Sequence, residues 1–194
     1  MYDFIEGKIE KLTPAFAVIN CGGLGFHINI SLYTFEKLKA QTQGRLQVHQ
    51  VISEDSHSLY GFFTEREREV FRNLISVSGV GANTARVLLS SLNEDSIIQA
   101  IIRKDAALLQ SVKGIGPKAA QRLILELHDK FGKLGASGAL PLTAISSAFD
   151  EALQALQALG FVRATAEKAL MRVSKDQGDS ATTESLVKDA FKYL

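Results

Sequence analysis

Two short glycine pairs are the residues in this chain whose types and spacing could do chemistry. Gly114-Ile115-Gly116 stands ahead of Pro117 and a helical pattern, and Gly79-Val80-Gly81 stands ahead of another. The chemistry is anion binding. Glycine reaches positive φ without penalty and has no Cβ, so a ligand can approach the main chain closely, and Pro117 is pre-set for a first helical position. Unpaired N–H groups at a helix start, with the positive end of its dipole, hold phosphate oxygens without reading any base. Glu54-Asp55 is the other candidate, two carboxylates inside Ser53-Glu54-Asp55-Ser56, which has the composition of a solvated turn. Adjacent acids at such a tip diverge, and no His or third acid lies at metal-ligand spacing. His27, His49, His57 and His128 show no metal spacing either, and Cys21 has no paired base. No catalytic residue, metal or cofactor is expected.

The glycine pairs belong to a longer repeat. At an offset of 35 residues Leu74 falls on Leu109, Val77 on Val112, Gly79 on Gly114, Val80 on Ile115, Gly81 on Gly116, Ala85 on Ala120 and Leu88 on Leu123. One GxG is weak evidence, but two copies sharing apolar spacing on both sides are far less frequent by accident. The alternatives fail on spacing: a P-loop needs four residues between its glycines and then Lys with Ser or Thr, and a dinucleotide fingerprint needs a third glycine after a strand. Each copy reads as a helical hairpin whose loop faces phosphate.

Around the hairpins the chain divides by pattern. Residues 1–63 read as β structure, with strands expected over Ile5–Leu12, Ala15–Ile19, Phe26–Leu32, Arg45–Ser53 and Ser58–Phe63. A turn is expected at Gly22-Gly23 and a short helix over Thr34–Ala40, and the whole suits an OB-like barrel. Thr64-Glu65-Arg66-Glu67 is a capping box that opens a helical domain over 64–132. Its helices are expected at about Thr64–Ser76, Asn83–Ser91, Glu94–Arg103, Ala106–Ser111 and Pro117–Phe131, with little room for a cleft. Residues 133–146, rich in Gly, Ala and Ser, read as a flexible linker. Residues 147–194 read as a three-helix bundle, with a stripe of Phe149, Leu153, Leu156 and Leu159, a stop at Gly160, and helices over Thr165–Ser174 and Thr183–Tyr193. The fold class is therefore α+β and multidomain.

Composition limits the function classes. The 194 residues are 46% apolar with one cysteine, so no disulfide forms within the chain. The N-terminus lacks the pattern of a signal peptide and no apolar run could span a bilayer, so a cytoplasmic location is expected. The net charge of +1 is unevenly spread: residues 64–134 carry 11 basic against 8 acidic groups, whereas 1–63 carry 5 against 6 and 135–194 carry 6 against 7. The basic excess sits with the hairpins and is modest, which predicts weak DNA binding by one copy and strong binding by several together.

The hairpin pattern resembles the helix-hairpin-helix motif, h-x-x-h-x-G-h-G-x-x-x-A-x-x-h. The order of barrel, two hairpins, linker and small bundle closely resembles the RuvA family of Holliday-junction-binding subunits. Further matches are Gly7-Lys8-Ile9-Glu10-Lys11, Gly22-Gly23-Leu24-Gly25-Phe26, Glu54-Asp55 before Leu59-Tyr60-Gly61-Phe62, and Ala158-Leu159-Gly160-Phe161. The resemblance implies a homotetramer, or a double tetramer, that holds a four-way junction open on a concave face. It also implies recruitment of the hexameric RuvB ATPase by the last domain and contact with the RuvC resolvase. Carried over by resemblance, DNA is held at Gly79, Val80, Gly81, Asn83, Gly114, Ile115, Gly116, Lys118 and Arg122, and Glu54 and Asp55 form an acidic pair near the crossover. Candidates for motor docking are Leu156, Leu159, Phe161 and Leu170. Where many members carry Pro-Lys after the first hairpin, this chain has Ala82-Asn83. The competing readings are a hairpin-containing DNA repair enzyme, for which Asp129, on a solvated charged helix face, is a poor catalytic candidate, and a protein–protein adaptor.

Overall fold

The computed structural model describes residues 2–136, 148–177 and 182–194. The chain forms two compact units, Met1–Leu140 and Pro141–Leu194. The first begins with five strands, β1 Phe4–Leu12, β2 Phe16–Cys21, β3 Leu24–Ile30, β4 Gln43–Ile52 and β5 His57–Phe62, with helix α1 Leu32–Leu38 between β3 and β4. They close into a barrel in the order β1-β2-β3-β5-β4, antiparallel except for the β3–β5 pair. Alternation explains the closure: Ala17, Ile19, Ile28, Ile30, Leu46 and Val48 point inward, with Ile5 and Leu38 completing the apolar interior. A Cβ on Gly7 would lie 2.2 Å from the Asn20 carbonyl oxygen, so glycine permits the close approach of β1 and β2 there.

The OB-like reading is borne out, with one local difference. The alternation expected to run through Leu32 ends at Ile30, because the Ser31 side chain accepts from the Thr34 N–H and caps α1. Ser31 is buried and Leu32 is 45% exposed.

Five helices follow in the same unit: α2 Glu65–Ile75, α3 Ala82–Ser91, α4 Glu94–Ile102, α5 Ala106–Gln110 and α6 Pro117–Ala136. Thr64, Asn93 and Asp105 cap α2, α4 and α5 through their side chains. Their core runs from Phe71 and Leu74 through Leu88, Ile97, Ile101 and Leu109 to Leu123, Leu127 and Phe131. Helix α6 continues through Ala136, four residues into the stretch expected as linker. Gly132 lies outside the left-handed region and has open space around it, and a glycine inside a helix costs only about 1 kcal/mol relative to alanine. The rest of that stretch lies outside the described residues.

The capping box is half formed. Thr64 accepts from the Glu67 N–H at 3.0 Å, but the Glu67 carboxylate takes the N–H one residue before the cap together with two hydroxyls from the barrel side. It accepts from the hydroxyls of Ser31 and Thr34, the latter at 2.8 Å, and from the Phe63 N–H at 3.1 Å. Next to it, Arg68 donates to the Asp3 carbonyl and carboxylate at 2.7 Å and to the Val48 carbonyl at 3.3 Å. Two neighbouring residues of α2 thus clamp the helical part onto the barrel.

The second unit holds α7 Ala148–Ala158, α8 Arg163–Gln177 and α9 Thr183–Ala190, packed around Leu153, Leu156, Ala166, Leu170, Val173 and Leu186. Gly160, at φ +96°, ends α7. The Phe161 N–H bonds the Leu156 carbonyl and the Gly160 N–H bonds the Gln157 carbonyl, the paired bonds of a Schellman motif.

Candidate nucleic-acid interface

The 35-residue repeat is repeated in geometry. In the first hairpin the Val77 N–H bonds Leu74, Val80 bonds Val77 and Ala85 bonds Gly81, at 3.2, 3.1 and 2.9 Å; in the second, Val112 bonds Leu109, Ile115 bonds Val112 and Ala120 bonds Gly116, at 3.3, 3.1 and 3.0 Å. Gly79 and Gly114 take φ values of +90° and +97°. The side chains between the glycines are pegs: Val80 and Ile115 are buried alongside Val77 and Val112. One sequence pattern therefore builds one loop twice.

Within each pair the glycines differ. Only Gly79 and Gly114 need positive φ; Gly81 has φ −79°, and Gly116 also lies outside the left-handed region. The expectation of left-handed backbone at the second glycine is corrected: Gly81 is the N-cap of α3 and takes extended geometry there, and Gly116 immediately precedes α6. What all four share is open space. An added Cβ would meet nothing within 4 Å at Gly79, Gly81 or Gly116, and at Gly114 only Thr84, 3.6 Å away. Internal packing gives no reason for glycine at Gly81 and Gly116. The open space leaves room for close approach from outside.

Helix α3 starts at Gly81 with no side-chain cap, unlike α2, α4 and α5, so its first-turn N–H groups are left for another acceptor. Val80 and Ile115 cannot touch a ligand through their side chains, and their N–H groups are already bonded within the loops. Their part in the site is to hold the glycines in place. Asn83 is exposed, but its Oδ1 accepts from Arg86 at 2.9 Å. Arg86, which sequence reasoning missed, also donates to the carbonyls of Ala15 and Ile30 at 2.9 and 3.3 Å, so the first hairpin helix is pinned to the barrel. Its sequence signal was faint, a lone arginine in an apolar helix.

Lys118 and Arg122 are exposed on α6 and, with Gln121 and Leu125, line an open hollow of about 420 Å³. Arg122 donates to the Ser78 carbonyl at 3.3 Å, so the second hairpin's helix reaches the first hairpin's loop. The two loops and both cations form one basic surface.

Glu54 and Asp55 stand at the tip of the β4–β5 hairpin, both exposed, in a turn closed by the Ser53 N–H to the Ser56 carbonyl at 2.9 Å and by the two serine hydroxyls. Among the described residues no group of His, Cys, Asp and Glu is arranged to hold a metal. The helices do leave a groove, contrary to expectation: about 510 Å³ between the start of α5 and α6, lined by Lys104, Ala106, Gln121, Ile124, Leu125, His128 and Asp129. It opens because α5 is a single short turn against a long helix. Asp129 is 96% exposed there, on His128 at 3.1 Å, open to solvent and not enclosed in a site.

The docking candidates separate. Leu156 and Leu170 are fully buried in the core of the second unit, which removes them as contact residues, since a bundle this small spends its longest apolar side chains on its own interior. Phe161 packs half-buried against that core with its ring edge on Phe191. Leu159 is 60% exposed. Among the described residues no helix is long and apolar enough to cross a membrane.

Comparison with known families covers most of this architecture. The model described as RuvA N terminal domain matches residues 1–61, the SAM-like helix-hairpin-helix tandem matches 71–129, and the RuvA C-terminal domain matches 147–194. The protein called Holliday junction branch migration complex subunit RuvA is 45% identical to this chain in Flavobacterium psychrophilum and 43% identical in Christiangramia forsetii, over the whole of both chains. Its counterpart in Bacteroides fragilis is 42% identical, again over the whole of both. Identity at this level, sustained from end to end over a barrel and twin hairpins, means that the chain belongs to the RuvA family.

Proposed function

We propose that the protein binds four-way DNA junctions through their phosphate backbone, holds them open, and recruits the RuvB ATPase for branch migration in recombination and repair. The observation that carries this reading is the pair of hairpin loops with matching hydrogen bonds, whose four glycines leave room for a ligand and none of whose intervening side chains points outward. Such loops offer main-chain donors to phosphate and no means of telling one base from another. Lys118 and Arg122 supply the charge beside them. Roles follow the chain: residues 1–63 present Glu54 and Asp55 at the crossover, 64–132 grip the arms, 133–146 tether, and 147–194 dock the motor through exposed side chains such as Leu159 and Phe161.

The modest basic excess favours several copies acting together, and a homotetramer, single or doubled, matches the fourfold symmetry of an open junction. RuvC would resolve the junction so held. The test is a competition titration of the purified protein with a four-way junction and a duplex of equal length. Preference for the junction with every strand left intact is expected. Equal affinity would remove junction recognition, and strand cleavage would point to an enzyme.

A further inference from the structure

The outside of the barrel is covered unevenly. Helix α2 lies over the β4–β5 side, where Phe71 packs on His49 and Tyr60, with ring centroids at 5.7 and 5.1 Å. Over β1–β3 the described residues leave the sheet open, and three side chains of unlike chemistry form a ladder across it. Lys11 of β1 holds its ammonium 5.3 Å from the Phe16 ring centre, and Phe16 of β2 stacks on the His27 ring of β3 at 4.3 Å with the planes 25° apart. His27 is exposed. The β3–β5 pairing begins at Ile28, one residue after His27, and the exposure of His27 leaves imidazole surface open beside Phe16. Glu10, the acid next to Lys11 on β1, is held by the Asn20 amide at 3.1 Å and by Lys8 at 3.3 Å.

We infer that this face is a stacking platform for unpaired bases of single-stranded DNA. A cation, a phenyl ring and an exposed imidazole in a row supply what single strands require, flat π surface with positive charge at its edge, and the outer faces of the central strands are where barrels of this type take oligonucleotides. Continuity favours DNA over a protein partner. Ala15, next to Phe16 in the chain, gives its carbonyl to Arg86, and Arg86 holds Asn83 beside Gly81, so the platform adjoins the first hairpin loop. A strand whose phosphates sit at that loop has its unpaired continuation within reach of His27. The site goes beyond the duplex-gripping hairpins and does not depend on junction selectivity.

The test uses the full chain and a fluorescein-labelled dT 12-mer, with a four-way junction titrated in parallel. His27→Ala removes the exposed ring without touching the barrel interior, and Phe16→Leu keeps an apolar side chain where the phenyl was. His27→Ala is expected to weaken dT binding by about tenfold, the scale of one lost base–aromatic stack, and Phe16→Leu, which removes the ring that supports the imidazole, to weaken it by a smaller factor, with junction affinity held within about twofold in both. Unchanged dT affinity in both variants would make the ladder a cross-strand contact that serves only the sheet. An equal loss for dT and junction would mean that single strands bind at the hairpins. A change in oligomeric mass by light scattering would assign the face to contacts between copies. Any of these three results overturns the inference.

Discussion

At the residue scale, the hairpin glycines can be told apart by what a methyl group would do to each. Gly114 has φ +97°, where an L side chain is strained by about 1–2 kcal/mol, so Gly114→Ala is expected to lower stability as well as DNA affinity. Gly116 has neither positive φ nor a neighbour in the way, so Gly116→Ala is expected to leave urea unfolding within about 1 kcal/mol of the parent. Its junction affinity should nonetheless fall about tenfold or more, because a charge-assisted contact to phosphate is worth roughly 1.5–3 kcal/mol. Unfolding curves and junction titrations on the two variants check the pair. Should Gly116→Ala bind junctions as the parent does, the second glycine is not where DNA approaches. The spacing of these residues in the chain was enough to locate both loops, since a period of 35 with matched apolar positions survives any uncertainty over helix ends. It could not say which glycine was strained, because φ is set by where the following helix begins.

At the element scale, the join between α2 and the barrel turns on Glu67. Burial pushes its carboxyl above the ordinary value of 4.5, against the pull of the hydrogen bonds from Ser31, Thr34 and Phe63. A raised folded-state pKa means that the native protein favours the protonated form. The stability gained from that is fully present below the ordinary value and is lost as pH rises through the raised one. Asp3 and Glu10 run the other way: the Arg68 hydrogen bond lowers the first and the Asn20 hydrogen bond the second, so their contributions are present above the ordinary carboxylate values and fade as pH falls below them. Glu67→Gln is therefore expected to flatten the decline in stability as pH climbs from about 4.5 toward neutrality, and to leave the acid limb in place. Urea midpoints across that range check it; an unaltered slope would show that Glu67 titrates as it does in the unfolded chain. The Thr-x-x-Glu spacing announced a helix start, which is there. It concealed the carboxylate's other partners, because Ser31 and Thr34 are more than thirty residues away and no local pattern links them to it. Strand periodicity failed at Ser31 for a related reason: a capping serine is buried by its hydrogen bonds, not by hydrophobicity.

At the scale of the whole molecule, the two compact units predict separable activities. A chain ending after Leu140 keeps the first unit entire and is expected to bind junctions like the full-length protein while failing to stimulate RuvB. A branch-migration assay with RuvB checks it, and undiminished stimulation would move the docking surface into the first unit. The role proposed for the acidic tip belongs to the assembly. Four copies around one axis would gather the exposed Glu54 and Asp55 side chains where strands cross, with little screening over distances within a Debye length of about 8 Å. In that arrangement continuous duplex would be repelled, while the parted strands of an open junction would pass around it. Glu54→Gln with Asp55→Asn is expected to raise duplex affinity and narrow the preference for junctions, read as a ratio in one competition titration; an unaltered ratio would leave the pair a solvated turn. The barrel, the helices and the bundle were all legible in the chain's periodicities, whereas the burial of Leu156 and Leu170 was not, since an apolar stripe looks the same whether it faces its own bundle or another protein. The buried pegs of the hairpin loops carry a kinetic consequence. A single bidentate contact to a base edge is worth about 1–3 kcal/mol, and a grip built on such contacts would have to break and remake one at every base step, slowing travel by roughly 5- to 150-fold. With Val80 and Ile115 turned inward, the proposed grip feels the same potential after each step as before it. In such a grip the barrier to each step would come from remaking phosphate contacts alone and would be the same whatever the sequence.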